Sequence, residues 1–141
     1  MTRKTAQLVR FGVSVEQDLL AAFDRWMRTT THPNRSEAIR DLMREQLVRQ
    51  RWTAGGTVAG AVTIVYDHHR RDLVGRIVDL QHDFQDAIIS TQHVHLDHRR
   101  CLEIIAVRGT SGRIKDLADR LHALKGVLHA TLAMAAAGDR P

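Results

Sequence analysis

The stretch Leu8-Val9-Arg10-Phe11-Gly12-Val13-Ser14-Val15 alternates, with Val9, Phe11, Val13 and Val15 on one side and Leu8, Arg10, Gly12 and Ser14 on the other. That is the period of a half-buried strand. Behind it Leu19, Leu20, Phe23, Trp26 and Met27 recur at helical spacing, up to a break over residues 29–33. Asn34 then caps a second helix, with Glu37 three residues on as in a capping box and Ile39, Leu42, Met43 and Leu47 as the apolar stripe. A lone strand cannot form a sheet, and roughly 45 residues bury too little apolar area to be comfortably stable alone. Two copies resolve both problems. Their strands pair antiparallel, the valine and phenylalanine face covers four helices, and Arg10, Gly12 and Ser14 face outward on a ribbon that fits the major groove of DNA.

Residues 8–50, and above all Asn34-Arg35-Ser36-Glu37-Ala38-Ile39-Arg40-Asp41, resemble the ribbon-helix-helix family of DNA-binding proteins. The resemblance implies that Arg10, Gly12 and Ser14 read bases, while the amides near Asn34 and Arg35 grip a phosphate at the helix start. Gly12 departs from the family, which often places a hydrogen-bonding side chain there. Charge agrees with a polyanionic partner: residues 1–51 hold ten Lys/Arg against six Asp/Glu, and residues 52–141 eleven against ten. Residues 1–7, with Arg3 and Lys4, read as a flexible arm. No apolar run is long enough to cross a bilayer and no secretory leader is legible, so the expected location is the cytoplasm.

Residues 51–57, centred on Gly55-Gly56, read as a linker between a DNA-binding domain (1–50) and a second domain (58–136), with 137–141 as a tail. Hydrophobic periodicity in the second domain predicts strand 58–66, helix 71–87, strand 88–96, strand 101–107, helix 110–124 and strand 127–134. The order βαββαβ is the ferredoxin-like, or ACT-like, plan: an antiparallel sheet backed by two helices on one face. The other, apolar face is expected to serve as an oligomer interface. The fold class is therefore α+β.

Six of the nine histidines lie between His68 and His98, just ahead of the single cysteine, Cys101. One cysteine excludes an intrachain disulfide and leaves packing, ligation or reactivity. His93 and His95, two apart on a strand, share a face, and Cys101 opens the next strand across a short hairpin, so three soft or borderline donors can converge. A thiolate with imidazoles suits zinc, copper or nickel and not magnesium or calcium. His82, Asp97 and His98 are the candidates for a fourth donor.

Tyr66-Asp67-His68, Arg71-Asp72-Leu73, Gln81-His82, His93-Val94-His95 and Cys101-Leu102-Glu103 together resemble the nickel-responsive regulator family, over about residues 8–134. The resemblance implies one square-planar Ni2+ per chain, held by His93, His95 and Cys101 of one subunit and His82 of another, in a homotetramer built as a dimer of dimers. It also implies metal-dependent repression at a double-stranded operator, most naturally of nickel uptake genes. Tyr66, Gln81 and Glu103 are expected to support the ligands from behind. Glu37 and Asp41, one turn apart, form a candidate secondary cation site, and His68, His69 and His98 candidate weaker ones. The alternatives are the same architecture sensing copper, zinc or cobalt, and an amino-acid-sensing ribbon-helix-helix regulator. A zinc hydrolase lacks a carboxylate base beside the histidines and an open position, so no enzymatic activity is expected.

Overall fold

The computed structural model describes residues 7–137; the expected arm (1–7) and tail (137–141) lie outside these except for Gln7 and Ala137. The chain divides into two compact units, one up to Leu42 and one from Met43. In the first, α1 spans Gln17–Arg28. The second helix, α2, spans Arg35–Ala54 and starts where the sequence places it: the Asn34 side chain accepts from the Glu37 amide at 3.0 Å. The return half of the capping box is not made, because the Glu37 carboxylate pairs with Arg40. Residues 7–16 belong to no helix or ladder, since nothing in this unit can pair with a lone strand. Its apolar side chains are consequently bare: Phe11 is 65% and Val13 67% exposed, no α1 residue is buried, and of residues 7–42 only Ala38 is.

The second unit is the α+β plan expected. Strand β1 (Thr57–Asp67), helix α3 (Arg71–Asp83), strands β2 (Ile88–His95) and β3 (Arg100–Thr110), helix α4 (Ser111–Ala123) and strand β4 (Val127–Ala135) follow in order. The antiparallel sheet runs β2-β3-β1-β4. Val62, Ile64, Tyr66, Cys101, Ile105 and Val107 alternate toward the helices and meet Leu73, Ile77, Ile114, Leu117 and Leu121 in one core. The opposite face, with Ala61, Val65, Leu102, Ile104 and Ala106, stays half-buried in the single chain.

The expected linker at 51–57 needs correction. The helix continues through it to Ala54, because Trp52 is a core residue of the second unit: it is buried, and its indole N–H donates to the Ala135 carbonyl at 3.1 Å. Gly55, at φ +79°, occupies the left-handed conformation that ends a helix, so the glycine pair stops α2 and turns the chain into β1. Helix α3 stops four residues earlier than expected, at Asp83, and residues 84–87 form a turn in which Phe84 and Ala87 are buried.

Gly60 on β1 sits where the indole of Trp52 crosses the sheet: a Cβ there would lie 2.6 Å from the Ala133 carbonyl oxygen and 3.3 Å from the Trp52 ring. Urea unfolding of Gly60→Ala is expected to show a loss of about 1–3 kcal/mol, the usual cost of overpacking. Gly112→Ala, on α4 in open space, should show no such loss.

Candidate metal centre

The antiparallel register builds this site in rows. His95 of β2, Cys101 of β3 and Tyr66 of β1 are successive partners across the sheet, and His93, Glu103 and Ile64 form the next row. Since side chains two apart share a face, both rows point to the helical side. The Cys101 sulfur lies 3.9 Å from His93 Nδ1, and the other ring nitrogen of His93 is 3.6 Å from the Glu103 carboxylate. His93 and His95 are exposed at the edge strand, and Cys101 is buried beside them.

Glu103 is 1% exposed, and a carboxylate so placed must be supplied with donors. Tyr66 Oη donates to Oε2 at 2.7 Å, and the Gln81 side-chain amide donates to Oε1. The oxygen of that amide accepts from the Thr91 hydroxyl at 3.1 Å. One carboxylate thus ties β1, α3 and β2 together behind His93. Burial, then the bond to Glu103, holds the Tyr66 phenol far above its ordinary pKa, so it stays a donor. Tyr66, Gln81 and Glu103 therefore meet in one hydrogen-bonded network. Thr91 carries no signal in the sequence, and only the fold reveals that β2 brings it to Gln81 at the end of α3.

The four expected ligands are not all assembled in one chain. Among the described residues, no three His, Cys, Asp or Glu side chains converge closely enough to hold a metal. His93 meets Cys101, whereas the His95 ring packs edge-on against His68, at 5.1 Å between centroids. His82, in the last turn of α3, is exposed. The donor chemistry nevertheless fits a borderline divalent ion: a thiol and an imidazole are in contact, a second imidazole stands directly opposite the thiol, and a buried carboxylate backs the first. The hairpin that fixes their register is braced by Asp97, whose carboxylate takes the amides of Arg100 at 2.8 Å and Arg99 at 2.9 Å. Those bonds hold its pKa at about 2.

His68, His69 and His98 form a chain of rings, 4.4 Å and 5.3 Å between successive centroids, and His68 Nδ1 is buried without a hydrogen-bond partner. Glu37 and Asp41 are not brought together on a cation: Glu37 pairs with Arg40, and Asp41 with His32 at 3.1 Å.

Arg10, Gly12 and Ser14 are all exposed. The Asn34 side chain is spent on the helix cap, and the Arg35 guanidinium grips both oxygens of Asp24, at 2.8 and 2.6 Å. Arg35 thus links the two helices and leaves the start of α2 to its amides. The hydrogen bond from Arg35 lowers the Asp24 pKa below its ordinary 3.8. This pair therefore stabilises the unit above the unfolded carboxylate value, and the contribution is lost as pH falls through the lower folded one. An NMR titration should therefore place the Asp24 midpoint below 3.8, and Arg35→Ala should return it upward.

Comparison with known proteins places both parts of the chain in known families. Residues 59–135 match the family described as the NikR C-terminal nickel-binding domain, and residues 9–50 the ribbon-helix-helix proteins of the copG family. The chain is 53% identical over 132 residues to a candidate nickel-responsive regulator of Chlorobium phaeobacteroides, covering 94% of this chain and 98% of that one. It is 50% identical over 133 residues to one of Thermococcus onnurineus, covering 94% and 96%. Among solved structures, an uncharacterized protein of Thermotoga maritima superposes with a TM-score of 0.51 at 16% identity, over 55% of this chain and 96% of that one.

Proposed function

We infer, because this chain belongs to the NikR family of nickel-responsive regulators, that it is a nickel-dependent DNA-binding repressor. The observation that carries the reading is the meeting of Cys101 and His93 in front of the buried, fully bonded Glu103. The ligands are His93, His95 and Cys101 of one subunit and His82 of a partner subunit, one nickel per chain, in a homotetramer that is a dimer of dimers. Bound there, nickel(II) supplies a strong bridge between subunits. Glu103 orients the His93 ring and balances positive charge, Tyr66 and Gln81 keep that carboxylate in place, and Gln81 passes the constraint to α3. His82, exposed next to Gln81, is presented outward as a donor to another chain must be. The family is one of regulators, and no enzymatic activity is assigned.

DNA recognition is assigned to Arg10, Gly12 and Ser14 on a ribbon formed with a second copy. The exposed Val9, Phe11, Val13 and Val15 supply its inner face, and the amides at Asn34 and Arg35 its phosphate contact. The half-buried apolar sheet face supplies the surface on which rear domains associate. Nickel favours the arrangement in which two ribbons reach two half-sites together, and DNA must then tighten nickel by the same factor.

A DNA-binding titration on a promoter carrying candidate half-sites tests this, using metal-free protein with and without one nickel per chain. Nickel should tighten specific binding by about tenfold or more, within the usual range of allosteric coupling. Cys101→Ala should bind equally with and without the metal. Equal binding by wild type in both conditions would remove the sensor and leave only a DNA-binding protein.

A further inference from the structure

Helix α3 carries both Gln81 and His82 in its last turn and ends immediately afterwards, at Asp83. A helix terminus of this kind frays unless its carbonyls are satisfied. The Gln81 and His82 carbonyls accept from the Phe84 and Gln85 amides, and the Asp83 carbonyl is met from the other helix. The Arg113 guanidinium of α4 donates to the Asp83 main-chain carbonyl at 2.6 Å and to both oxygens of the Asp86 carboxylate, at 2.8 and 3.3 Å. It also stands 3.8 Å above the centre of the Phe84 ring, which is itself buried in the core. The Asp83 carbonyl, the Phe84 ring face and the Asp86 carboxylate, all just after His82, are thus held by one planar cation. Its position is fixed in turn by the start of α4, where the Thr110 side chain caps the Arg113 amide. The His82 imidazole itself is exposed and has no hydrogen-bond partner among the described residues.

We propose that Arg113 is a positioning residue for the metal response: by clamping the α3 terminus it sets where the His82 imidazole reaches toward a partner subunit. This rests on the reading of His82 as a ligand. A guanidinium is required because a lysine ammonium can meet the carbonyl or the carboxylate but cannot form the fork and stack on Phe84 together. Releasing the clamp leaves the donors unchanged and widens the range of positions His82 samples, so the cost falls on affinity and not on ligand identity.

The test is a set of competition titrations of the full-length protein with nickel against a chelator, following the nickel–thiolate absorption band. The variants are Arg113→Ala, Arg113→Lys, His82→Ala and the His82→Ala/Arg113→Ala double variant, with Arg120→Ala as the control, since Arg120 also lies over the same ring but at 5.5 Å from its centre. Arg113→Ala is expected to weaken nickel by about tenfold, the low end for a group supporting a ligand. Arg113→Lys should fall between it and wild type, and Arg120→Ala should bind as wild type. In the double variant the Arg113 effect should vanish, because a residue acting only through His82 has nothing left to position. Additive losses, or an Arg113→Ala protein with wild-type affinity, would overturn the proposal. If His82→Ala itself binds nickel with wild-type affinity and spectrum, the ligand reading fails first, and that result is separate from any Arg113 outcome.

Discussion

The buried carboxylate of Glu103 is the constraint around which the second unit is arranged. An ionised group inside a protein is tolerated only with its oxygens satisfied, and leaving it without partners costs several kcal/mol or more. Tyr66 and Gln81 satisfy it, and they come from β1 and α3. The pairing of β1 with β3 therefore has a polar reason as well as an apolar one: a one-residue slip would carry Tyr66 to the other face and strand the charge. Because Thr91 then bonds Gln81, the edge strand β2 is drawn into the same network, and with it His93. The core chemistry and the candidate ligand set are fixed by one buried group.

Two surfaces of the chain are unfinished in the same physical sense. The first unit exposes Val9, Phe11, Val13 and Leu19, and the rear sheet leaves a half-buried apolar face. Each fully exposed aliphatic or aromatic side chain forgoes roughly 1.5–3 kcal/mol of burial. A strand without a ladder and helices without a core are poor places to stop folding, so self-association is the natural completion of both.

Much of this was legible in the sequence. Hydrophobic periodicity identified the strand at 58–66 and a helix beginning at Arg71, and the spacing of His93, His95 and Cys101 placed three donors on one face, whereas the alternation at 8–15 marks a strand that the single chain does not form. Two kinds of error remained. Gly55-Gly56 reads as a hinge because local composition cannot show that Trp52, three residues earlier, is buried against β4; the tertiary contact extends the helix and turns the glycines into its stop signal. The end of α3 was overestimated because Phe84 and Ala87 keep a helical spacing while serving the core from a turn. Thr91 and Arg113 carried no local signal at all, since their roles depend on partners ten and about thirty residues away.

Three of the four candidate ligands sit at an edge or an end of an element. His93 and His95 belong to an edge strand bonded on one side only, and His82 to the last turn of a helix, whereas the central strands β1 and β3 contribute Cys101 and the buried support. Elements at edges and termini open locally at lower free energy than central ones. A ligand that bridges an edge strand, a helix end and a central strand therefore stabilises the weak elements most, by an amount that grows with its free concentration relative to its dissociation constant. Had all four donors been placed on β1 and β3, binding could have been equally tight with little to reorganise. Sensing requires that the bound state differ from the free one, and under the proposed ligand set the distribution of donors between a central strand and an edge would make that difference available.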